Sequence, residues 1–363
     1  MVRIKITSLF SGIGAFEQAL TNIGVDYDVV NFCEIDKYAI KSYCELHGVD
    51  EGLNLGDISK VDKLQDCDLL TYGFPCQSVS VAGRMEGLTK GSGTRSGLLW
   101  EVERLLENSN RPKYLIMENV KNLVGKQFKD DFYKWLTRLE ELGYNNYWKV
   151  LNSKNFGVPQ NRERVFCISI RKDVDLTGYE FPNPTESNVA LKDILEQFVD
   201  EKYYLSEKVQ QRFQFKPKGD NIIGTTAPDF RTIGQRDLVF NPDKIMGTLV
   251  ATDYKQPKQI IEMDVKRLPV ICEQRSDEGL RFFKSDICGT LRTIDSCGDK
   301  RIIEENFRIR KLTPIECWRL QGFNDDSFNK VKALGISDSQ LYKQAGNSIT
   351  VNVLEEIFKN LLK

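Results

Sequence analysis

A single histidine, His47, stands in the 363 residues of this chain. Histidine is the commonest metal ligand and the side chain that titrates nearest neutrality, so histidine-rich metal sites are excluded and any serine–histidine triad would depend on that one ring. Chemistry must come from Cys, Asp, Glu, Arg or Lys. Paired cysteine spacing is missing as well: the nine cysteines are odd in number and scattered without CxxC, which argues against a disulfide framework or a zinc site and for reduced thiols. No run approaches the roughly 18 apolar residues of a membrane span, and the apolar N-terminal stretch is broken by Arg3, Lys5, Glu17 and Gln18. The expectation is a cytoplasmic protein without a targeting signal or membrane contact. An excess of one charge is also absent, the formal net charge being −1, so a basic footprint for nucleic acid would be confined to one face.

What is present is an ordinary globular composition, 40% hydrophobic and 28% charged, long enough for two domains or one large one. The first part alternates two textures. Ile4 to Leu9, YDVVNFC, DLLTYG, KYLIME and RVFCISI read as strands, while GIGAFEQALTNIG and FYKWLTRLEELG read as helices. Such alternation predicts an open, doubly wound, mostly parallel α/β sheet with ligands at the carboxyl ends of its strands. After Phe181 the texture turns to PNPTES and stays irregular to about Phe307. Within it GTLVATDYKQPKQIIE (247–262) and GTLRTIDSCGDKRIIE (289–304) align without a gap and share eight of sixteen residues. This duplicated strand–turn–strand unit can be a scaffold hairpin or a pair of ligand-reading loops. Clear helical signals then return. Thr313-Pro314-Ile315-Glu316 has capping-box spacing, Gly322 closes that helix, and Val353, Leu354, Ile357, Phe358, Leu361 and Leu362 form an apolar stripe.

Several strand ends carry chemistry. Ser11-Gly12-Ile13-Gly14 opens the first helix after the first strand, as a phosphate- or nucleoside-binding turn does, although a tight structural turn would look the same. The third glycine of a dinucleotide fingerprint is absent, with Phe16 and Glu17 in its neighbourhood. Glu34 follows the second strand, where an acid can accept ribose hydroxyls, and Asp57 is expected at the same edge. Two acids repel a pyrophosphate but suit an adenosine compound that lacks one, which favours S-adenosylmethionine over NAD. Cys76, in YGFPCQSVS, sits in a glycine–proline turn where a thiol is presented for attack rather than packed. Glu118 ends KYLIME as a candidate acid. Arg162 and Arg164 stand two apart, so an extended backbone points both to one face. GRMEGLTKGSGTRSG, with five glycines, Arg84, Lys90 and Arg95, reads as a basic lid or an exposed loop.

Taken in order, FSGIGAFE, EID, GDI, GFPCQSVS, RSGLLW, ENV, QNRERVF, RKLTPIECWRLQGF and QAGNSITVNVLEEI resemble the cytosine-C5-specific DNA methyltransferases of bacterial and phage restriction-modification type. The resemblance implies a Rossmann-like S-adenosylmethionine-dependent fold with a smaller target-recognition domain. On it, residues 1–181 and 342–363 form the catalytic domain and 182–341 the small one, with target recognition in 182–307. It implies that Cys76 attacks carbon 6 of a flipped-out cytosine, that Glu118 protonates the ring at N3, and that Arg164 holds the carbonyl with Arg162 in support. S-adenosylmethionine would be lined by Phe10, Gly12, Gly14, Glu34, Ile35, Asp57, Ile58, Pro75, Leu98, Asn347 and Ser348. Ile35 stands where other members carry tryptophan. DNA would meet Arg84, Lys90 and Arg95, and one of the Thr-Leu pairs Thr248-Leu249 or Thr290-Leu291.

The implied partner is double-stranded DNA, read by a monomer, with any cognate restriction endonuclease acting separately. The rival readings are a tRNA cytosine-C5 methyltransferase of the same fold, a NAD-dependent oxidoreductase and a catalytically silent DNA-binding protein. Substrate competition separates the first, and cofactor binding the second.

Overall fold

The computed structural model describes residues 3–75, 95–185, 188–229, 233–263, 270–275, 279–282, 300–303 and 307–362. Its first half runs β1 (Ile4–Leu9), α1 (Ala15–Asn22), β2 (Tyr27–Cys33), α2 (Lys37–His47), β3 (Leu69–Tyr72), α3 (Leu99–Asn108), β4 (Tyr114–Val120), α4 (Lys129–Glu141), β5 (Tyr144–Asn152), the two-residue β6 (Gln160–Asn161) and β7 (Glu163–Arg171). The strands make one six-stranded sheet in the order β2-β1-β3-β4-β7-β5. β2, β1, β3 and β4 are parallel neighbours, and β7 lies antiparallel between β4 and β5. The carboxyl ends of β1 to β5 therefore share one edge, and β7 begins there.

Alternation along the strands explains why both faces are covered. Leu69, Ile116, Phe166 and Ile168 face one apolar layer with Phe16, Leu20, Val353, Ile357 and Phe358. Leu70, Leu115, Met117, Val165 and Cys167 face the other with Leu105, Leu106, Phe132, Trp135 and Leu139. A strand buried on both faces reads as a continuous apolar run, which is what RVFCISI is. The fold class expected from the sequence, an α/β methyltransferase sheet, is the one observed.

The second half runs α5 (Glu207–Gln210), β8 (Gln214–Lys218), β9 (Ile222–Thr225), β10 (Leu238–Phe240), β11 (Met246–Gly247), β12 (Gln259–Met263), β13 (Val270–Arg275), β14 (Gly279–Phe282), β15 (Lys300–Ile303), β16 (Phe307–Lys311), α6 (Pro314–Arg319), α7 (Asp325–Ala333), α8 (Asp338–Asn347) and α9 (Val351–Leu361). A five-stranded sheet, β16-β12-β10-β9-β8, and a three-stranded one, β14-β13-β15, are built from it. The first copy of the duplicated unit does contain a strand, a 3₁₀ turn (Ala251–Tyr254) and a strand, but it is not a hairpin. Its β11 pairs with β6, whereas β12 pairs with β10 and β16. The second copy lies outside the described residues apart from β15.

The C-terminal helices return to the first sheet. Phe358 meets Phe16 edge-on at 6.5 Å, Ser327 Oγ donates to Gln18 Oε1 at 3.1 Å, and Gln344 Nε2 donates to Ser42 Oγ at 2.8 Å. Thr313 caps α6 as its spacing predicts, its N–H donating to Glu316 Oε2 at 2.8 Å. Among the described residues no helix is long and apolar enough to cross a membrane.

Candidate active site

The carboxyl edge of the first sheet is built at β1. Phe10 follows that strand with φ 56°, a left-handed backbone costly for a bulky side chain, and Gly12 and Gly14 follow at 57° and 80°. A Cβ on Gly12 would meet nothing within 4 Å, so the backbone there faces open space that another group can approach closely. Gly14 caps α1, and the space beneath it is filled by His47.

Glu34 comes next, one residue past β2. Its Oε2 accepts the Gly12 N–H at 3.0 Å and its Oε1 accepts the N–H groups of Ile35 and Asp36 at 2.8 and 2.9 Å. Both oxygens are thereby fixed on one side, and lone pairs remain on the other. Ile35 beside it is 76% exposed, an apolar side chain held out at the sheet edge. Asp57 is not at a strand end, as expected, but in the connection from α2 to β3. The bridge between Phe32 and Asn54 carries that connection alongside β2. Asp57 caps a 3₁₀ turn through Ser59, whose N–H and hydroxyl hold its carboxyl below the usual range, and Ile58 behind it is buried. Leu98 caps α3 against the same apolar layer as Phe10.

Sequence reasoning missed Asn54. Its Oδ1 accepts the N–H groups of Glu34 and Gly56 at 3.1 and 3.0 Å, and its Nδ2 donates to the Glu34 carbonyl at 3.1 Å. An asparagine two residues before a glycine is a turn signal that could have found it.

Across β3, the turn Gly73-Phe74-Pro75 is tied to the end of β4 by Asn119 Nδ2, which donates to the Phe74 carbonyl at 3.0 Å. A Cβ on Gly73 would lie 3.6 Å from Glu118 Oε2 and 3.9 Å from Ile349 Cδ1, so this turn passes directly over the acid. Cys76 is the next residue after Pro75 and lies outside the described residues, with Arg84 and Lys90. Glu118 is buried, and Arg164 Nε stands 3.0 Å from its Oε1. Register brings them together: β4 pairs with β7 so that Val120 faces Arg164. Burial pushes the Glu118 carboxyl up, opposed by the guanidinium charges of Arg164 and Arg162. The balance favours the protonated carboxyl more than in an ordinary exposed glutamate.

Arg162 also acts on Glu118, but it reaches no open surface. At 2% exposure it donates to three backbone carbonyls, Leu249 at 2.8 Å, Ser348 at 2.7 Å and Gly346 at 3.5 Å. Its guanidinium is buried and ties the backbone at residue 249 to that at 346–348. Leu249 is a correction: expected at a DNA surface, it is 2% exposed and packs in the core, with its N–H on Gln160 Oε1 at 3.0 Å. Thr248 is half-buried, its hydroxyl donating to the Asn161 carbonyl at 2.7 Å. Thr290, Leu291 and the side chain of Arg95 lie outside the described residues.

Asn347 is exposed and Ser348 buried at the end of α8, in the segment that Arg162 grips. The close approach depends on Gly346, where a Cβ would stand 2.4 Å from the Val250 carbonyl. Gly346→Ala is expected to destabilise the fold by about 1–3 kcal/mol through overpacking. Urea unfolding measures it, and an unchanged midpoint would show that the two backbones have room to part.

Comparison with known proteins identifies the family. The family described as C-5 cytosine-specific DNA methylase matches residues 4–363. The orphan methyltransferase M.SPBetaI of Bacillus phage SPbeta is 37% identical, covering 100% of this chain and 98% of its own. The type II methyltransferase M2.ScrFI of Lactococcus lactis subsp. cremoris is 39% identical over 85% of this chain and 71% of its own. Among solved structures, the Entamoeba histolytica methyltransferase EhMeth superposes with a TM-score of 0.68 at 16% identity, and the S. pombe Dnmt2 methyltransferase with 0.62 at 19%, each covering 99% of both chains. A sheet edge with an acidic half at β1 and β2, a buried acid–guanidinium pair at β4 and β7, and this match along nearly the whole length make the chain a member of the C-5 cytosine-specific DNA methylases, a DNA cytosine-5 methyltransferase.

Proposed function

We propose that the protein methylates carbon 5 of one cytosine within a short duplex DNA sequence, by flipping that base out and forming a covalent adduct with Cys76. The buried Glu118–Arg164 pair, directly under the turn that leads into Cys76, is the observation that carries this reading. Cys76 adds to carbon 6 of the ring while Glu118 delivers a proton to N3, and Arg164 holds the base's carbonyl. The bond formed at carbon 6 moves the ring's electron pair toward carbon 5, which becomes the nucleophile. Loss of the proton at carbon 5, departure of the thiolate and return of the N3 proton to Glu118 restore the aromatic ring and the starting acid. Arg162 keeps β7, the 346–348 segment and residue 249 in register around that reaction.

S-adenosylmethionine fits the acidic half of the edge and supplies the methyl group when bound. Gly12 leaves open space for it, Glu34 offers free lone pairs to ribose hydroxyls, and exposed Ile35 offers an apolar face to an adenine ring in place of tryptophan. Phe10, Gly14, Asp57, Ile58, Pro75, Leu98, Asn347 and Ser348 complete the lining. The proposal divides the chain into a catalytic unit, 1–181 with 342–363, and a recognition unit, 182–341. The seating of α9 on α1 supports the first. Duplex DNA is read by the second unit, with Thr248 from the first copy of the repeat as a contact and Arg84, Lys90 and Arg95 on phosphates. The protein acts as a cytoplasmic monomer.

A genome-wide map of 5-methylcytosine in a methylation-free bacterial host expressing the chain tests this directly. The expected result is one short motif methylated throughout. Unmodified DNA together with methylated tRNA would overturn the choice of substrate.

A further inference from the structure

Under the glycine turn lies a polar cluster that none of the reactions above uses. Glu17, in the first turn of α1, is fully buried. Its Oε1 accepts from the Tyr43 hydroxyl at 2.8 Å and from Ser8 Oγ, and Ser8 shares a hydrogen bond with Thr71 Oγ1 at 2.8 Å. Among the described residues Glu17 Oε2 has no hydrogen-bond partner. Tyr43 stacks on Phe32 at 4.3 Å and packs against the His47 ring at 4.8 Å. His47 Nε2 lies 3.1 Å from the Ile13 carbonyl, so it is the donor, and a Cβ on Gly14 would fall 2.1 Å from that nitrogen. Burial lowers the His47 pKa, with Glu17 and the bond to the Ile13 carbonyl opposing. The cluster thus joins β1, β3, α1 and α2 and ends on the backbone of the turn itself.

We infer that His47, backed by Tyr43 and Glu17, is the positioning residue that sets the Ser11–Gly14 turn for cofactor binding, as a buried clamp seated under Gly14 and hydrogen-bonded to the Ile13 carbonyl. The inference rests on the reading that S-adenosylmethionine sits on that turn. Ile13 lies between the two left-handed glycines, so the turn is held at two points, the Gly12 N–H on Glu34 and the Ile13 carbonyl on His47. Without the imidazole the carbonyl loses its donor and Gly14 loses the packing beneath it. The turn then samples other conformations, and each costs cofactor affinity. The clamp touches neither DNA nor the reacting base, so its loss acts on one substrate only.

His47→Ala is expected to raise the KM for S-adenosylmethionine about tenfold, the equivalent of one buried hydrogen bond, with kcat at saturating cofactor and KM for DNA unchanged. His47→Gln, whose amide nitrogen can take the place of Nε2, should recover most of that loss. Val239→Ala, in the separate core of the five-stranded sheet, serves as a control for general destabilisation. A KM for cofactor that stays at the wild-type value in His47→Ala would overturn the clamp, as would an equal rise in Val239→Ala. Should His47→Ala fail to fold, Tyr43→Phe, which removes only the hydroxyl on Glu17, must raise the same KM, and an unchanged value overturns the inference. Wild-type protein that does not bind S-adenosylmethionine by calorimetry would remove the underlying reading instead, and the clamp with it.

Discussion

Glu118→Gln is expected to lower the rate of methyl transfer by about 10²–10⁴-fold, the usual worth of a positioned acid, while cofactor binding stays intact. Glutamine fills the same volume and can still accept from Arg164, so the loss is one of proton delivery and not of packing. The pH profile is the sharper readout. Burial raises the Glu118 pKa, so the protonated, donating form survives to higher pH than in an ordinary carboxyl. Activity that depends on it is present below the raised value and falls as pH rises through it. Stability follows the same sign, because the fold binds a proton there that the unfolded chain has already released. Glu118→Gln should lose both dependences, and a variant that kept the alkaline fall in rate would show that another group supplies the proton.

Cys76→Ser is expected to have the larger effect, about 10⁴-fold or more on turnover, as removal of a covalent nucleophile commonly does. A hydroxyl is nearly isosteric with a thiol but far less acidic, and at neutral pH it offers no anion to carbon 6. S-adenosylmethionine should bind Cys76→Ser as it binds the wild type. A duplex with 5-fluorocytosine at the target position separates the alternatives, because fluorine cannot leave carbon 5 as the proton does. The wild type should remain joined to that duplex in denaturing gels and Cys76→Ser should run free. A wild-type protein that turns over without ever becoming joined would remove the covalent step.

Much of the first half was legible because strands and helices there obey simple periods. YDVVNFC is β2 residue for residue, and the stripe from Val353 to Leu361 is buried as its spacing requires. Strand direction was not legible. β7 runs antiparallel to its neighbours, but a strand buried on both faces has the same apolar composition whichever way it points. Glu118 and Arg164 were found as separate strand-end residues, and only the β4–β7 register makes them a pair. Leu249 was misplaced because a Thr-Leu dipeptide carries no mark of which side chain turns inward. His47 was weighed only as a triad or metal residue, since its position beneath Gly14 depends on how α2 crosses α1.

Three bonds of the Arg162 guanidinium end on main-chain oxygens. Apart from the glycine that the close approach at 346 requires, an attachment of that kind does not depend on which side chains the gripped residues carry, since every residue has the same carbonyl. The stretch beyond Tyr254 can therefore drift in sequence, or be exchanged for another, without loosening the bolt that fastens it to the catalytic sheet. On the proposed division of the chain, a lineage that must keep acquiring new target sequences gains from such a coupling: the reader can change while the chemistry it serves stays in alignment.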